Sequence, residues 1–239
     1  MRSESIEDYL KTIYQIQEEQ NDSPVSTTSL AARLGVANGS VTGMLKHIST
    51  LEPKLVDYEP YYGVRLSPEG LKTAREITRH HRLIESYLSE KLGYSWDEVH
   101  AEAERLEHVI SEEMEERLAI ALGNPVTDPH GDPIPDRNGW IAPMDYVSLA
   151  EMPDGQPGEI RRIIGQEPEL LRYLTSQGLV LSTRLVVQSR APFKGPINIR
   201  MIGLTDSIMT LGREVAEKIM VMPLTVAAME NIHEQYNDS

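Results

Sequence analysis

The chain has 239 residues, 40% of them hydrophobic, enough for one large domain or two to three small ones with a genuine core. It contains no cysteine, which excludes disulfides and thiolate metal sites, and its formal net charge of −14 argues against indiscriminate nucleic-acid binding. No apolar run approaches membrane-spanning length and Met1–Glu7 is polar rather than signal-like, so the expectation is a soluble cytoplasmic protein with no membrane partner.

From Ser5 to about Glu19, Ile6, Leu10, Ile13 and Ile16 with Tyr9 and Tyr14 form a helical stripe, and Asp8 projects off it. Ser26 to Gly35 reads as a short helix ended by glycine, and Val36–Gly39 as a turn. Ser40 then N-caps a helix running to Ile48. Leu55–Glu59 and Gly63–Leu66 bracket Pro60-Tyr-Tyr-Gly63 as a hairpin. Helix, helix, turn, helix, hairpin is a winged helix-turn-helix. Ser67-Pro-Glu-Gly70 opens a long helix to about Leu92, and Trp96 to Leu122 reads as one further helix. Residues 124–143 hold five prolines and three aspartates, the composition of a linker or surface loop. The pattern then changes to strands, around 160–164, 185–188 and 197–203, which predicts a small β-barrel-like domain. The class is α+β: winged helix over 1–75, helical domain over 76–142, β domain over 145–225 and a polar tail over 226–239.

Two constellations carry chemistry. The first is His100-Ala-Glu-Ala-Glu104-Arg-Leu-Glu107-His108, in which His100, Glu104, Glu107 and His108 fall on one side of a helix at spacings of four, three and one. His81 and Glu85 stand one turn apart on the preceding helix. Imidazoles and carboxylates converging from two helices supply ligands for one or two divalent ions. The bland alternative is a solvated acidic helix with surface histidines. The second constellation is the window from Ser23 to Leu51, which has no Asp or Glu although the chain holds 37 of them. Arg33, Lys46 and His47 lie in it, and a polyanion would dock there. A recognition helix presents its first turn to bases and phosphates, and here that turn carries Asn38, Gly39, Ser40 and Thr42, with Lys46 one turn on. Arg65, Tyr61 and Tyr62 belong to the wing. Gly43 occupies a position where a base-reading side chain is expected, so recognition leans partly on DNA shape.

Together these parts resemble the diphtheria toxin repressor family of iron- and manganese-dependent transcriptional regulators. The motifs that carry the resemblance run along nearly the whole chain: Ile6-Glu-Asp-Tyr-Leu-Lys-Thr-Ile-Tyr14, Ser40-Val-Thr, Leu66-Ser-Pro-Glu-Gly70, His81-Arg-Leu-Ile-Glu85, Val99-His through Glu107-His108, and Pro129-His-Gly-Asp-Pro-Ile-Pro135. Glu167-Pro-Glu-Leu-Leu-Arg-Tyr-Leu174 and the strands around it resemble the SH3-like (FeoA-like) domain of longer members.

The resemblance implies a primary, regulatory metal site at Asp8, Glu104, Glu107 and His108 and an ancillary site at His81, Glu85 and His100. Glu167, matched across a gap, stands for the ligand that the SH3-like domain adds to the ancillary site. It also implies a homodimer built on the helical domain, bound to a pseudo-palindromic double-stranded operator. Short manganese-type members carry an acid where this chain has Lys11, so their paired-metal arrangement does not carry over. Iron-type members carry Met and Cys where this chain has Asp8 and Glu104.

A metal ion tying the first helix to the middle domain would fix the spacing of two recognition helices in a dimer. Without it, the clustered acids are expected to repel one another and loosen the first helix. Three carboxylates and an imidazole suit Mn(II), with Fe(II) as the alternative and Zn(II) or Co(II) binding well in vitro. The rival classes are a metallohydrolase and a metal-blind winged-helix adaptor. The first lacks a separate nucleophile, base or phosphate-cradling loop, and the second leaves the ligand spacing unexplained, so no enzyme activity is expected.

Overall fold

The computed structural model describes residues 3–20, 22–203 and 208–224. They divide into two compact units, one of residues 1–87, 101–126 and 134–142, the other of 88–100, 127–133 and 143–239. The class is α+β, as the sequence predicts. The polar tail expected over 226–239 lies outside the described residues.

The first unit begins with α1 (Glu4–Glu19), whose buried face is the predicted stripe: Leu10 and Ile13 are inaccessible, with Ile6, Tyr9, Tyr14 and Ile16 beside them. In α2 (Thr27–Leu34) the Ser26 hydroxyl accepts the Ser29 N–H at 3.0 Å, and Gly35 closes the helix in the left-handed region at φ 66°. The next helix, α3 (Asn38–Ile48), starts three residues earlier than expected. Ala37, not Ser40, is its N-cap and makes no side-chain cap bond; the Ala37 carbonyl accepts the N–H groups of Ser40 and Val41. Val41, Leu45 and Ile48 lie on one buried stripe of α3, in the core cluster that residues of α1 and α2 share. The wing is the antiparallel pair β1 (Val56–Glu59) and β2 (Gly63–Leu66), in register from Val56–Leu66 to Glu59–Gly63.

The long helix α4 (Pro68–Leu92) opens at the Ser-Pro-Glu-Gly motif for local reasons. The Ser67 hydroxyl donates to the Lys54 carbonyl at 2.6 Å and accepts the Gly70 N–H at 3.1 Å, and Pro68 fills a first-turn position that needs no donor. Gly70 is required sterically, since a Cβ there would stand 1.9 Å from the Leu55 carbonyl oxygen.

The single helix expected from Trp96 to Leu122 is instead two helices, α5 (Val99–Leu106) and α6 (Glu112–Ala121). After Leu106 the chain tightens into a turn, Val109 N–H bonding the Leu106 carbonyl, and Ser111 caps α6 by accepting the Met114 N–H at 3.2 Å. Glu107 and His108 therefore sit on the turn after α5 rather than on a continuous helical face.

Residues 127–135 also depart from expectation. They are not a surface loop: Asp128, His130, Asp132 and Ile134 are buried. The Asp128 carboxylate accepts the N–H groups of His130 (2.8 Å) and Asp132 (2.9 Å), which satisfies backbone donors that water would otherwise have to reach.

In the second unit, β3 (Val147–Ser148), β4 (Pro157–Ile163), β5 (Arg184–Arg190), β6 (Ile197–Met201), β7 (Ile208–Leu211) and β8 (Ile219–Pro223) form one antiparallel sheet in the order β3-β8-β4-β5-β6-β7. Register shifts in β4 and β5 bend the strands. The helices α7 (Pro168–Ser176) and α8 (Arg213–Lys218) complete it, and Ile160, Leu171, Leu174, Leu185, Ile199 and Val221 lie in its core. Within this unit the 127–133 segment docks on the sheet. Ile163 N–H bonds the His130 carbonyl, and a Cβ at Gly131 would stand 1.9 Å from the Arg161 carbonyl oxygen.

Candidate metal centre

Four elements of the first unit converge: the first turns of α1, the middle of α4, the end of α5 and the turn after it. From α1 come Glu7, Asp8 and Lys11, and from α4 His81 and Glu85. Glu104 lies on α5, and Glu107 and His108 on the turn. The helix break is what aims the last two residues back at α1. Ligand atoms of Asp8, Glu107 and His108 all lie within 4.8 Å of one another. Metal–ligand bonds of about 2.0–2.6 Å set opposite ligands about 4–5 Å apart, so these three groups fit one divalent ion.

Both imidazoles are wedged between carboxylates. His108 donates from Nδ1 to Glu7 at 2.8 Å and from Nε2 to Asp8 at 2.9 Å, with Glu107 Oε1 at 3.3 Å from Nε2. His81 donates from Nδ1 to Glu107 at 2.5 Å and from Nε2 to Glu85 at 3.0 Å. Burial disfavours the charged ring in each case, but the facing carboxylates outweigh it. The His81 ring is pushed up to about 9, and that of His108 is also raised. Burial raises the Asp8 carboxyl, with His108 and Lys11 pulling the other way. Burial would raise Glu107 too, but His81 and Lys11 hold it below the ordinary carboxylate value.

Lys11 carries the largest surprise. Its ammonium donates to Glu104 at 2.6 Å and to both oxygens of Glu107, at 2.6 and 2.8 Å. The expected mutual repulsion of the acids is therefore offset by a lysine on α1 itself. Together with the His108–Glu7 and His108–Asp8 pairs, it fastens α1 to the end of α5. Glu7 was not singled out from sequence either; its position one residue before Asp8, on the same side as Lys11 at i+4, was the available signal.

The structure thus brings Asp8, Glu104, Glu107, His108, His81 and Glu85 into one network. The two ligand groups read separately from sequence meet at Glu107, which His81 touches directly. His100 stands in the first turn of α5, four residues before Glu104. Glu167 is the N-cap residue of α7 in the second unit, where it pairs with Lys218 at 3.2 Å. Its neighbour Gln166 donates to Asp132 at 3.3 Å.

The residues read as DNA-facing lie on the surface of α3 and the wing. Asn38, Gly39, Ser40 and Lys46 are exposed and Thr42 is half-buried, its hydroxyl donating to the Asn38 carbonyl. Arg65 is exposed and anchored to Asp22 through its carbonyl and its carboxylate, the latter at 3.4 Å. Tyr61 and Tyr62 project fully from the wing tip.

Comparison with known proteins agrees with this architecture along the chain. Residues 1–64 match the N-terminal DNA-binding domain of iron-dependent repressors, residues 67–136 their metal-binding and dimerisation domain, and residues 147–223 the FeoA domain. The chain is 31% identical over 232 residues to the iron-dependent repressor IdeR of Mycobacterium tuberculosis, covering 91% of this chain and 96% of that one. Among solved structures, a manganese-dependent transcriptional repressor in complex with manganese superposes with a TM-score of 0.83 at 37% identity, over 92% of this chain and all of its own. IdeR of T. acidophilum gives 0.75 at 27% identity, over 94% of this chain and 100% of that one. The chain belongs to the iron-dependent, or diphtheria toxin, repressor family of metal-dependent DNA-binding regulators.

Proposed function

We propose that this protein is a manganese-activated repressor of metal-homeostasis genes. It would act as a homodimer on a pseudo-palindromic operator, with Asp8, Glu104, Glu107 and His108 holding the regulatory ion. The carrying observation is that ligand atoms of Asp8, Glu107 and His108, a hundred residues apart in sequence, lie within 4.8 Å. A bound divalent ion supplies the charge that joins these side chains. The chain's own part is to place Asp8 on the helix that supports the DNA-binding core and the other ligands on α5 and its turn. Any ion held there couples the two elements. His81, Glu85 and His100, with Glu167, form the ancillary site in this reading. The domain limits follow the same division, 1–75, 76–142 and 145–225. Asn38, Gly39, Ser40, Thr42, Lys46 and Arg65 contact DNA, mostly at phosphates.

Manganese is preferred because the donor set is oxygen-rich and the chain has no cysteine. Similarity to the iron-dependent repressor IdeR favours the alternative, Fe(II). Zn(II) or Co(II) would bind in vitro without being the physiological effector. The test is promoter-DNA affinity at saturating Mn(II) and Fe(II), followed by reporter repression in metal-defined medium. Repression that follows manganese supports the assignment, and repression that follows iron alone rejects it.

A further inference from the structure

We propose that Lys11 is a tethered competitor for the regulatory ion, a built-in cation that the metal must displace from Glu104 and Glu107 and that thereby sets the metal concentration at which the switch responds. This rests on the assignment of those two carboxylates as ligands. Three observations carry it. The Lys11 side chain is buried, 5% accessible, and its ammonium lies 2.6 Å from Glu104 and 2.6 and 2.8 Å from the two Glu107 oxygens. An ammonium has three donors and no acceptor, so this one is committed to the oxygens an ion would use. Glu107 is engaged further, by His81 at 2.5 Å and His108 at 3.3 Å, which leaves its carboxylate crowded with cationic partners.

A divalent ion and an ammonium on the same two carboxylates would stand within about 4 Å of each other in a poorly solvated pocket, where like charges repel strongly. For an ion to be held by Glu104 and Glu107, the ammonium would have to leave them. Lysine suits that exchange because its four-carbon stem swings a compact charge between positions. Glu7, one turn back on the same helix and outside the proposed ligand set, is an acid that would receive it. The exchange conserves the attachment of α1 to α5: one cationic bridge replaces another. Asp8 and His108, whose ligand atoms stand beside those of Glu107, would help to hold the ion.

Calorimetric titration of the full-length protein with MnCl₂ tests this, comparing wild type with Lys11→Met and Lys11→Arg. Lys11→Met keeps the length of the stem and removes the charge. It is expected to tighten manganese binding on the order of tenfold and to lower the melting temperature measured in excess EDTA. Lys11→Arg is expected to bind manganese no tighter than wild type. Manganese affinity of a folded Lys11→Met protein equal to or below that of wild type overturns the proposal. Nitrogen-15 NMR of the wild-type lysine ammonium groups gives a second test that needs no variant. Saturating Cd(II), a diamagnetic probe, is expected to shift or abolish the signal of the buried Lys11 ammonium, and an unchanged signal overturns the proposal. Wild-type protein that binds manganese and then DNA, beside a Lys11→Met protein with no gain, removes the role of Lys11 and leaves the metal site standing. Wild-type protein that binds no manganese removes both.

Discussion

His108 is the residue on which the metal assignment turns, because it bonds two acids of α1 from the turn after α5. Replacing it with alanine is expected to lower manganese affinity by at least about a hundredfold, since a site that works by convergence loses a ligand outright. Circular dichroism and size-exclusion chromatography should still report a folded dimer. His81→Ala is expected to cost less, about tenfold to a hundredfold, because His81 acts on the site through Glu107 as well as beside it. Calorimetry on both variants checks the order, and equal manganese affinity in His108→Ala and wild type would exclude this site.

The same histidines fix a pH dependence. Each imidazole is raised above its ordinary value of 6.5, His81 to about 9, so His81 holds a proton at neutral pH, and a proton on either ring must leave before a metal ion can reach that nitrogen. Manganese affinity is therefore expected to climb from about pH 6.5 to about pH 9 and to fall on acidification. Titration in buffers of different ionisation enthalpy would show proton release. For stability without metal the sign reverses. A histidine whose folded pKa is raised stabilises the fold fully below its unfolded value, and that contribution is lost as pH rises through about 9. Most of the side chains gathered here were legible in the sequence as residue types at helical spacing. Lys11 was not read as their partner, because a pattern of like charges does not show which cation a neighbouring helix will bring.

At the scale of elements, the sequence was readable where apolar periodicity and caps agreed. The stripe of α1, the Gly35 stop of α2, the wing pairing and the start of α4 at Ser67 all stand as expected. It misled where polar groups carry the structure. The break between α5 and α6 depends on Ser111 capping a helix inside what reads as one acidic periodic run. The 127–133 segment is buried because the Asp128 side chain replaces water at two backbone donors, which a count of prolines and aspartates cannot reveal.

Gly70→Ala tests the packing of the opening turn of α4 against the wing. The added Cβ would overlap the Leu55 carbonyl, so a loss of about 1–3 kcal/mol is expected in urea unfolding. A loss near zero would mean that α4 shifts freely there. For the recognition helix and wing, Lys46→Ala is expected to weaken binding to all sequences alike and reduce the salt slope by about one unit. Arg65→Ala should do the same and also release the wing from Asp22. A change confined to one base position would instead mark direct base reading.

At the scale of the whole molecule, a chain of net charge −14 keeps the stretch from Ser23 to Leu51 free of acid, and the proposed DNA binding would use that stretch. The excess negative charge elsewhere disfavours nonspecific DNA binding. The α+β class and the family were legible at this scale because motifs recur from Ile6 to Leu174, each local and each tied to its own element. The SH3-like sheet was legible as strands but not as an order, since β8 returns from the end of the chain to pair between β3 and β4, a long-range register that alternation alone does not encode.

The central claim is that an ion joining α1 to the turn after α5 is energetically coupled to DNA binding. Coupling of that kind is reciprocal: the factor by which manganese tightens DNA binding must equal the factor by which DNA tightens manganese binding. The direct measurement is manganese affinity of the full-length protein with and without saturating operator DNA, beside operator affinity with and without saturating manganese. Equal factors of about 5–150 in both directions are expected, vanishing together in His108→Ala. A manganese affinity indifferent to operator DNA would contradict the account.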